Sequence, residues 1–260
     1  MQPFTSVNKL HVYQSFQEGV CTNQSKAFFS ALLEGKSDII KQLIEKGVDV
    51  HKFVLEGENP IEFLLRRNKN IECLQVLLES KGKISDRAIV YAVASNDVLI
   101  VKLLLEHGAP MDALYQEGEC YFLDESVSIL RSCEHADTLL SIALQAKNSE
   151  IITLLIEKNI EITAKDIQCG VEVNKDWKIV HLLLQHYQGT SLLLSWVLIK
   201  VIQNEYKENL NRDEWCETNK MQPFALECME LALVKDADPN CTIDGAPILD
   251  FAAILPGTEV

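Results

Sequence analysis

Six segments of this chain repeat one pattern: two adjacent apolar residues, then a second apolar pair four positions on. They are "SDIIKQLIEKGVDV" (37–50), "IECLQVLLESKGKI" (71–84), "VLIVKLLLEHGAPM" (98–111), "SEIITLLIEKNIEI" (149–162), "WKIVHLLLQHYQ" (177–188) and "ECMELALVKDADPN" (227–240). In the third, Ile100 and Val101 are followed by Leu104 and Leu105. Spacings of one, four and five place all four side chains on one face of a helix. Shorter helical stretches precede most of them, at 26–34, 59–67, 86–94, 137–146 and 164–173, the last with Gly170 inside it. Gly47 and Gly108 fall just past helix ends, where a left-handed residue is commonly needed. The unit is therefore short helix, tight turn, longer helix, loop. A single pair cannot bury both of its faces, so neighbours must stack, and the fold class is an all-α solenoid.

The residues also resemble a known family. "VKLLLEHGAP", "IEKGVDV" and "VKDADPN" are similar to the second-helix ending of ankyrin repeats, roughly I-V-K-L-L-L-E-x-G-A-D-V-N. "ENPIEFLL" (58–65) and "GAPILDFAA" (245–253) resemble the T-P-L-H-x-A-A opening of the first helix, with Pro60 and Pro247 at the helix start. The resemblance covers residues 26–260 and implies an ankyrin-repeat solenoid of about six helix pairs plus a partial seventh. Departures from the family pattern are clear. The second-helix patterns start at 39, 73, 100, 151, 179 and 228, giving steps of 34, 27, 51, 28 and 49, against about 33 for the family. The short steps imply clipped finger loops after repeats 2 and 4. The long ones imply two inserted loops, near 109–136 and 205–220. The His of T-P-L-H is replaced, for example by Glu62, Ser141 or Asp250. That His normally helps tie adjacent turns together, so its loss puts the tie in doubt.

Both ends carry expectations. Residues 1–25 read as an N-terminal capping segment, with Ser6 as a cap and Val7, Leu10, Tyr13 and Phe16 near one helix face. Residues 246–254 read as the first helix of a seventh repeat, and the chain stops in the turn after it. A terminal repeat is usually a modified cap, so this reads as a truncation of a longer protein.

Composition narrows the setting. No apolar core behind a basic start opens the chain, so no signal peptide is read there. The greasiest run, "LLLSWVLIKVI" (192–202), includes Ser195 and Lys200 and is far short of the ~20 apolar residues that span a bilayer. It reads as a buried helix. Eight scattered cysteines, most within apolar helical patterns, read as reduced thiols in a cytosol. The net charge of −14 disfavours nucleic acid and anionic membrane as partners. A protein with a basic or mixed basic and apolar surface fits better, unless the charge serves only solubility.

No catalytic, metal or cofactor motif is found: the chain has no C-x-x-C, no H-E-x-x-H and no G-x-x-x-x-G-K-[ST]. His181 and His186, five apart, do not share a helical face as two ligands would. The densest cluster, 120–137, holds Cys120, Asp124, Cys133, Glu134 and His135. It offers a thiol with a base or a zinc site, or else it is an inserted loop with incidental cysteines. Cys73 and Cys228 stand where the pattern has Ile and read as small core residues.

Binding residues are sought on fingers and insertions, because the resemblance implies recognition of proteins through finger tips and the concave face of the first helices. Finger one, "VDVHKFVLEGEN", places His51 and Phe53 near its tip. The first insertion offers Met111, Tyr115, Tyr121 and Phe122 among acidic residues, which either anchor a partner or pack on their own repeats. Trp215 lies in the second insertion, where it docks on the solenoid or meets a partner. Trp177 opens a second helix and is expected to be partly exposed, whereas Trp196 is expected in the core. The leading expectation is a non-enzymatic protein-interaction module. An alternative is the targeting or scaffold part of a larger enzyme whose catalytic domain lies beyond residue 260. A third makes the 109–136 insertion itself catalytic. Irregular, insertion-bearing arrays also resemble those of effectors that intracellular bacteria deliver into host cells, which implies the host cytosol. A eukaryotic scaffold fits the same residues.

Overall fold

The computed structural model describes residues 23–51, 58–114, 138–210, 222–243, 245–248 and 250. Along the chain come α1 (Asn23–Glu34), α2 (Ser37–Glu45), α3 (Pro60–Arg67), α4 (Ile71–Glu79), α5 (Asp86–Ala94) and α6 (Val98–Glu106). There follow α7 (Leu139–Gln145), α8 (Ser149–Glu157), α9 (Ala164–Cys169), a π-helical turn (Gly170–Asn174), α10 (Trp177–His186), α11 (Ser191–Leu210) and α12 (Pro223–Val234). A two-residue antiparallel ladder, β1 (Thr242–Ile243) with β2 (Ala246–Pro247), pairs Thr242 with Pro247 in a finger loop. The chain divides into two compact units, Met1–Ala113 with Tyr121–Ser126, and Leu114–Cys120 with Val127–Val260.

In the first unit, α1–α2, α3–α4 and α5–α6 each form a hairpin, with α1, α3 and α5 in one row and α2 against α4 in another. Phe29 meets Phe28 and Phe63 edge-on, with centroids 6.0 and 5.0 Å apart. Leu64, Leu74, Leu77, Ile89 and Ile100 complete the core between the rows. Cys73 is wholly buried, as its place in the apolar pattern predicts. Asn59 caps α3 in a reciprocal box with Glu62, behind Pro60 at the first helical position. Ser85 caps α5 and Asp97 caps α6, each cap stabilising its helix by about 1 kcal/mol.

The second unit repeats the plan with α7–α8, α9–α10 and α11–α12, where α10 packs against both α8 and α12. Its weakest first helix is the fifth, as Gly170 suggested. There α9 ends after six residues and widens into the π-helical turn, closed by Lys175 N–H donating to the Gly170 carbonyl. A side chain at Gly170 would approach Leu183 Cδ1 to 2.9 Å, so α10 presses directly on the backbone there. Cys228 is fully buried on α12, with its Sγ 3.4 Å from the Trp177 carbonyl.

Gly47 and Gly108 adopt the expected left-handed conformation, with φ of 89° and 80°. Comparable turns are made by residues with side chains, including Lys81, Lys147 and Lys175 at φ of 59°, 54° and 60°. Such backbone costs roughly 1–2 kcal/mol per residue.

Three expectations are corrected. Trp177 is only 5% exposed, because α12 packs across α10 and covers it. Trp196 is half-buried rather than core, with Lys200 Nζ 5.5 Å from its ring. The second insertion does not begin as a loop at 205: α11 runs on as helix to Leu210, with Glu205 buried and accepting from Gln222 N–H. The remainder of that insertion, 211–221, lies outside the described residues, as do the capping helix read at 6–19 and the end at 251–260.

Candidate functional site

The His missing from the first-helix motif has working replacements. Glu62 accepts at Oε2 from Asn59 N–H and at Oε1 from Ser85 Oγ, so the start of α3 is tied to the start of α5. In the second unit Asp166, wholly buried, takes the same place at the start of α9. Its Oδ2 accepts from Thr163 N–H and Oγ1 at 2.8 and 2.7 Å. Its Oδ1 accepts from the Thr138 and Ser141 hydroxyls of α7, both at 2.6 Å. The tie between neighbouring repeats is therefore present in both units, made by N-cap hydroxyls and a carboxylate at the third helical position.

These ties hold the bases of the fingers. Just before α3, Glu58 is buried with Oε2 2.8 Å from Arg67 Nη1 and Oε1 2.8 Å from Arg66 Nε. Arg67 lies over the Phe63 ring at 4.3 Å. Burial pushes the Glu58 carboxyl above its usual range, against the pull of Arg66 and Arg67. The segment "EGENPIEFLLRR" carried this pair eight and nine positions apart, a spacing that helix-neighbour rules do not cover. Beside this base lies a cavity of about 330 Å3, floored by Val50, Pro60, Ile61 and Leu77. His51, a candidate from the sequence, is exposed and stands at its edge.

On the first-helix row of the second unit the side chains differ in kind. Leu192 is 81% exposed, and Trp196 follows one turn later. Lys200 Nζ lies 5.5 Å from the Trp196 ring and 3.7 Å from Glu172 Oε1 on the π-helical turn. Val173, next to Glu172, is 42% exposed. The run 192–202 reads from the sequence as a buried helix because it is too short to span a bilayer, and Leu194, Val197, Val201 and Ile202 are indeed buried. Lys200, already noted in the run, stands one turn after Trp196 on the side that is only half-buried.

Met111 is half-buried at the edge of the first unit. Phe53, Tyr115, Tyr121, Phe122 and Trp215 lie outside the described residues, as do Cys120, Cys133 and His135. Trp177, buried, is not available to a partner. Burial pushes the Cys73 and Cys228 thiols up to about 11 and about 12, with Glu72 and Glu227 adding to it, which makes both poor nucleophiles at neutral pH. Among the described residues no group of three or more His, Cys, Asp or Glu could hold a metal ion, and no helix is long and apolar enough to cross a membrane.

Capped helix pairs, stacked in rows and joined by fingers, define a helical-repeat protein. The family model described as "Ankyrin repeats (3 copies)" matches residues 27–115 and 67–166, together more than half of the chain. The chain belongs to the ankyrin-repeat family, and the all-α solenoid class expected from the sequence is the one found. By structure it is similar to the human ASB11 ankyrin repeat domain, at 15% identity and a TM-score of 0.46, covering 90% of this chain and 93% of that one. No curated protein matches it by sequence. Ankyrin repeats are generally protein–protein interaction modules, and the fold is typically non-catalytic.

Proposed function

We propose that this chain is a protein-interaction module that grips its partner through the first-helix row of the second unit, aided by its fingers and insertions. The observation that carries this reading is Trp196, half-buried, with Lys200 over its ring, exposed Leu192 one turn away and the Lys200–Glu172 pair beside it. A large aromatic flanked by apolar and charged neighbours is the usual composition of a binding hot spot. Lys200 restrains the ring before binding, which lowers the entropy lost on docking. The net charge of −14 favours a partner with a basic or mixed basic and apolar surface, by steering at long range. His51, Met111 and the aromatic residues of the insertions, Tyr115, Tyr121, Phe122 and Trp215, are further contacts in this reading.

The test uses a partner captured from cytosolic lysate and then purified. Trp196→Ala in the full chain weakens its binding by about 2 kcal/mol, roughly thirtyfold, and Leu192→Glu also weakens it, both with unchanged circular dichroism. A version lacking residues 112–134 reports the share of the first insertion. If neither substitution changes the affinity, the first-helix row is not the binding surface.

A further inference from the structure

We infer that the π-helical turn is a one-residue insertion that builds the binding surface on α11, and that Glu172 within it is a positioning residue, holding Lys200 over the Trp196 ring. This rests on the binding-module reading and names the element that prepares its site.

The repeats themselves measure the insertion. From Thr163, the cap of α9, to Asp176, the cap of α10, is thirteen positions. The same step is twelve from Ser85 to Asp97, eleven from Asn59 to Asn70 and ten from Thr138 to Asn148. Counted forward from the first caps, Ile167, Cys169 and Val171 fall where Ile89, Tyr91 and Val93 do, and all six are buried. Counted back from the second caps, Lys175 matches Asn96, with φ of 60° and 61°. The extra residue therefore lies between Val171 and Lys175. Asn174 is buried there, its Nδ2 donating to the Leu144 carbonyl at 3.1 Å. In this stretch the α5–α6 repeat has buried Ala94 and half-buried Ser95, whereas the α9–α10 repeat has Glu172, Val173 and Asn174, the first two exposed. A π-helical turn takes up an added residue without shifting the packed positions on either side, and such turns are frequent at functional sites.

The side chains thrown outward meet α11. Glu172 Oε1 lies 3.7 Å from Lys200 Nζ, and that nitrogen lies 5.5 Å from the Trp196 ring, within the ~6 Å reach of a cation–π contact. An untethered lysine side chain samples many rotamers. Tied at its head to a turn that Asn174 anchors, Lys200 stays beside the ring, and less freedom is lost on docking. In a helix of the length found in the α5–α6 repeat, Glu172 would fall at the place of Ala94, which is buried, and the tie would be lost.

Indole 15N relaxation of the partner-free full chain is the test, the Trp196 signal being assigned by its absence in Trp196→Ala. Glu172→Gln and Lys200→Met should each lower the Trp196 order parameter from about 0.85 toward about 0.6, and Lys200→Arg, which keeps the charge, should not. Affinity for the purified partner should fall about threefold in Glu172→Gln, the size of effect an exposed ion pair supplies. A version lacking Glu172 has the segment length of the α5–α6 repeat. Its α9 and α10 amides should keep their exchange protection while the indole loosens. An unchanged indole in Glu172→Gln overturns the inference, as does lost protection in the shortened version, which would make the extra residue part of the fold. Full affinity in Glu172→Gln, where Trp196→Ala weakens binding, overturns it too. Where Trp196→Ala leaves the affinity unchanged as well, the module reading fails on this surface, while the indole measurement still decides the positioning of Trp196, so the two failures are distinguishable.

Discussion

Asp166→Ala should loosen the second unit more than any other single polar change among the described residues. The carboxylate is wholly buried and accepts four hydrogen bonds. Two come from Thr163, which is partly exposed and can turn to water after the change. The other two come from Thr138 and Ser141 on the preceding repeat, and Ser141 is only 1% exposed. A hydrogen bond to a charged group contributes about 1.5–3 kcal/mol, so the two inter-repeat bonds set a gross loss of about 3–6 kcal/mol. Removing the charge also removes its own burial penalty, which offsets part of this. A net cost of about 3 kcal/mol follows. With a urea slope near 2 kcal/mol/M, the midpoint of the second unit falls by about 1.5 M. Asp166→Asn keeps one acceptor oxygen and should cost about half as much.

Hydrogen exchange is the deciding assay, because stability in a repeat array is local. Protection should drop in α7, α9 and the π-helical turn and remain unchanged in α3–α6. Adding Ser141→Ala on top of Asp166→Ala should cost much less than Ser141→Ala alone, since its bond is already gone. The reasoning is refuted if Asp166→Ala stays within about 1 kcal/mol of the parent, or if the two substitutions add fully.

Other outcomes follow from the same structure. Cys73 and Cys228 should resist a thiol reagent in the native protein, and stability should fall as pH rises from about 9 towards about 12. The sign is set by the unfolded thiols ionising first, near 9, while the folded ones hold their protons. Urea midpoints across that range, compared with a Cys73→Ala, Cys228→Ala double variant that lacks this loss, check it. Lys147→Gly relieves a left-handed turn at φ 54° and should add a few tenths of a kcal/mol, the gain being trimmed by glycine's unfolded-state entropy; a lowered midpoint contradicts it. Trp177→Ala should cost about 3–5 kcal/mol, as loss of a core aromatic does, and a cost below 1 kcal/mol would mean it is not core.

The helix pairs were legible in the sequence because their apolar pairs recur at helical spacing, and because Gly47, Gly108 and Pro60 mark helix boundaries in chemically forced ways. The two tryptophans show where that reading stops. Trp177 and Trp196 both sit in apolar helical runs. Periodicity assigns each to a face, but burial depends on which helix covers that face. For Trp177 it is α12, about fifty residues further on, and the backbone carbonyl of Trp177 receives the Cys228 thiol. Trp196 stays half-buried, with Lys200 over its ring. His51 is exposed at the edge of a cavity whose lining also takes Leu77, Gly82, Lys83 and Ser85 from the following repeat, a neighbourhood that periodicity within one repeat does not give.

The replaced histidine carries the same lesson into energetics. A motif residue was missing at Glu62 and Ser141, and the motif alone put the tie in doubt. What the stack requires is a donor–acceptor pair spanning two helix starts, and several residue types can supply it. In the first unit Glu62 accepts from the next repeat's cap, Ser85. In the second the direction is reversed: Thr138 and Ser141 donate forward to Asp166, so the carboxylate sits one repeat later. One carboxylate per tie suffices in either direction, provided the other partner brings a hydroxyl. Placing acids at both third positions would bury two like charges against each other. Exchanging Ser141 for Glu beside Asp166 should therefore break the tie it superficially restores, and only a paired Ser141→Glu, Asp166→Ser swap should rebuild it.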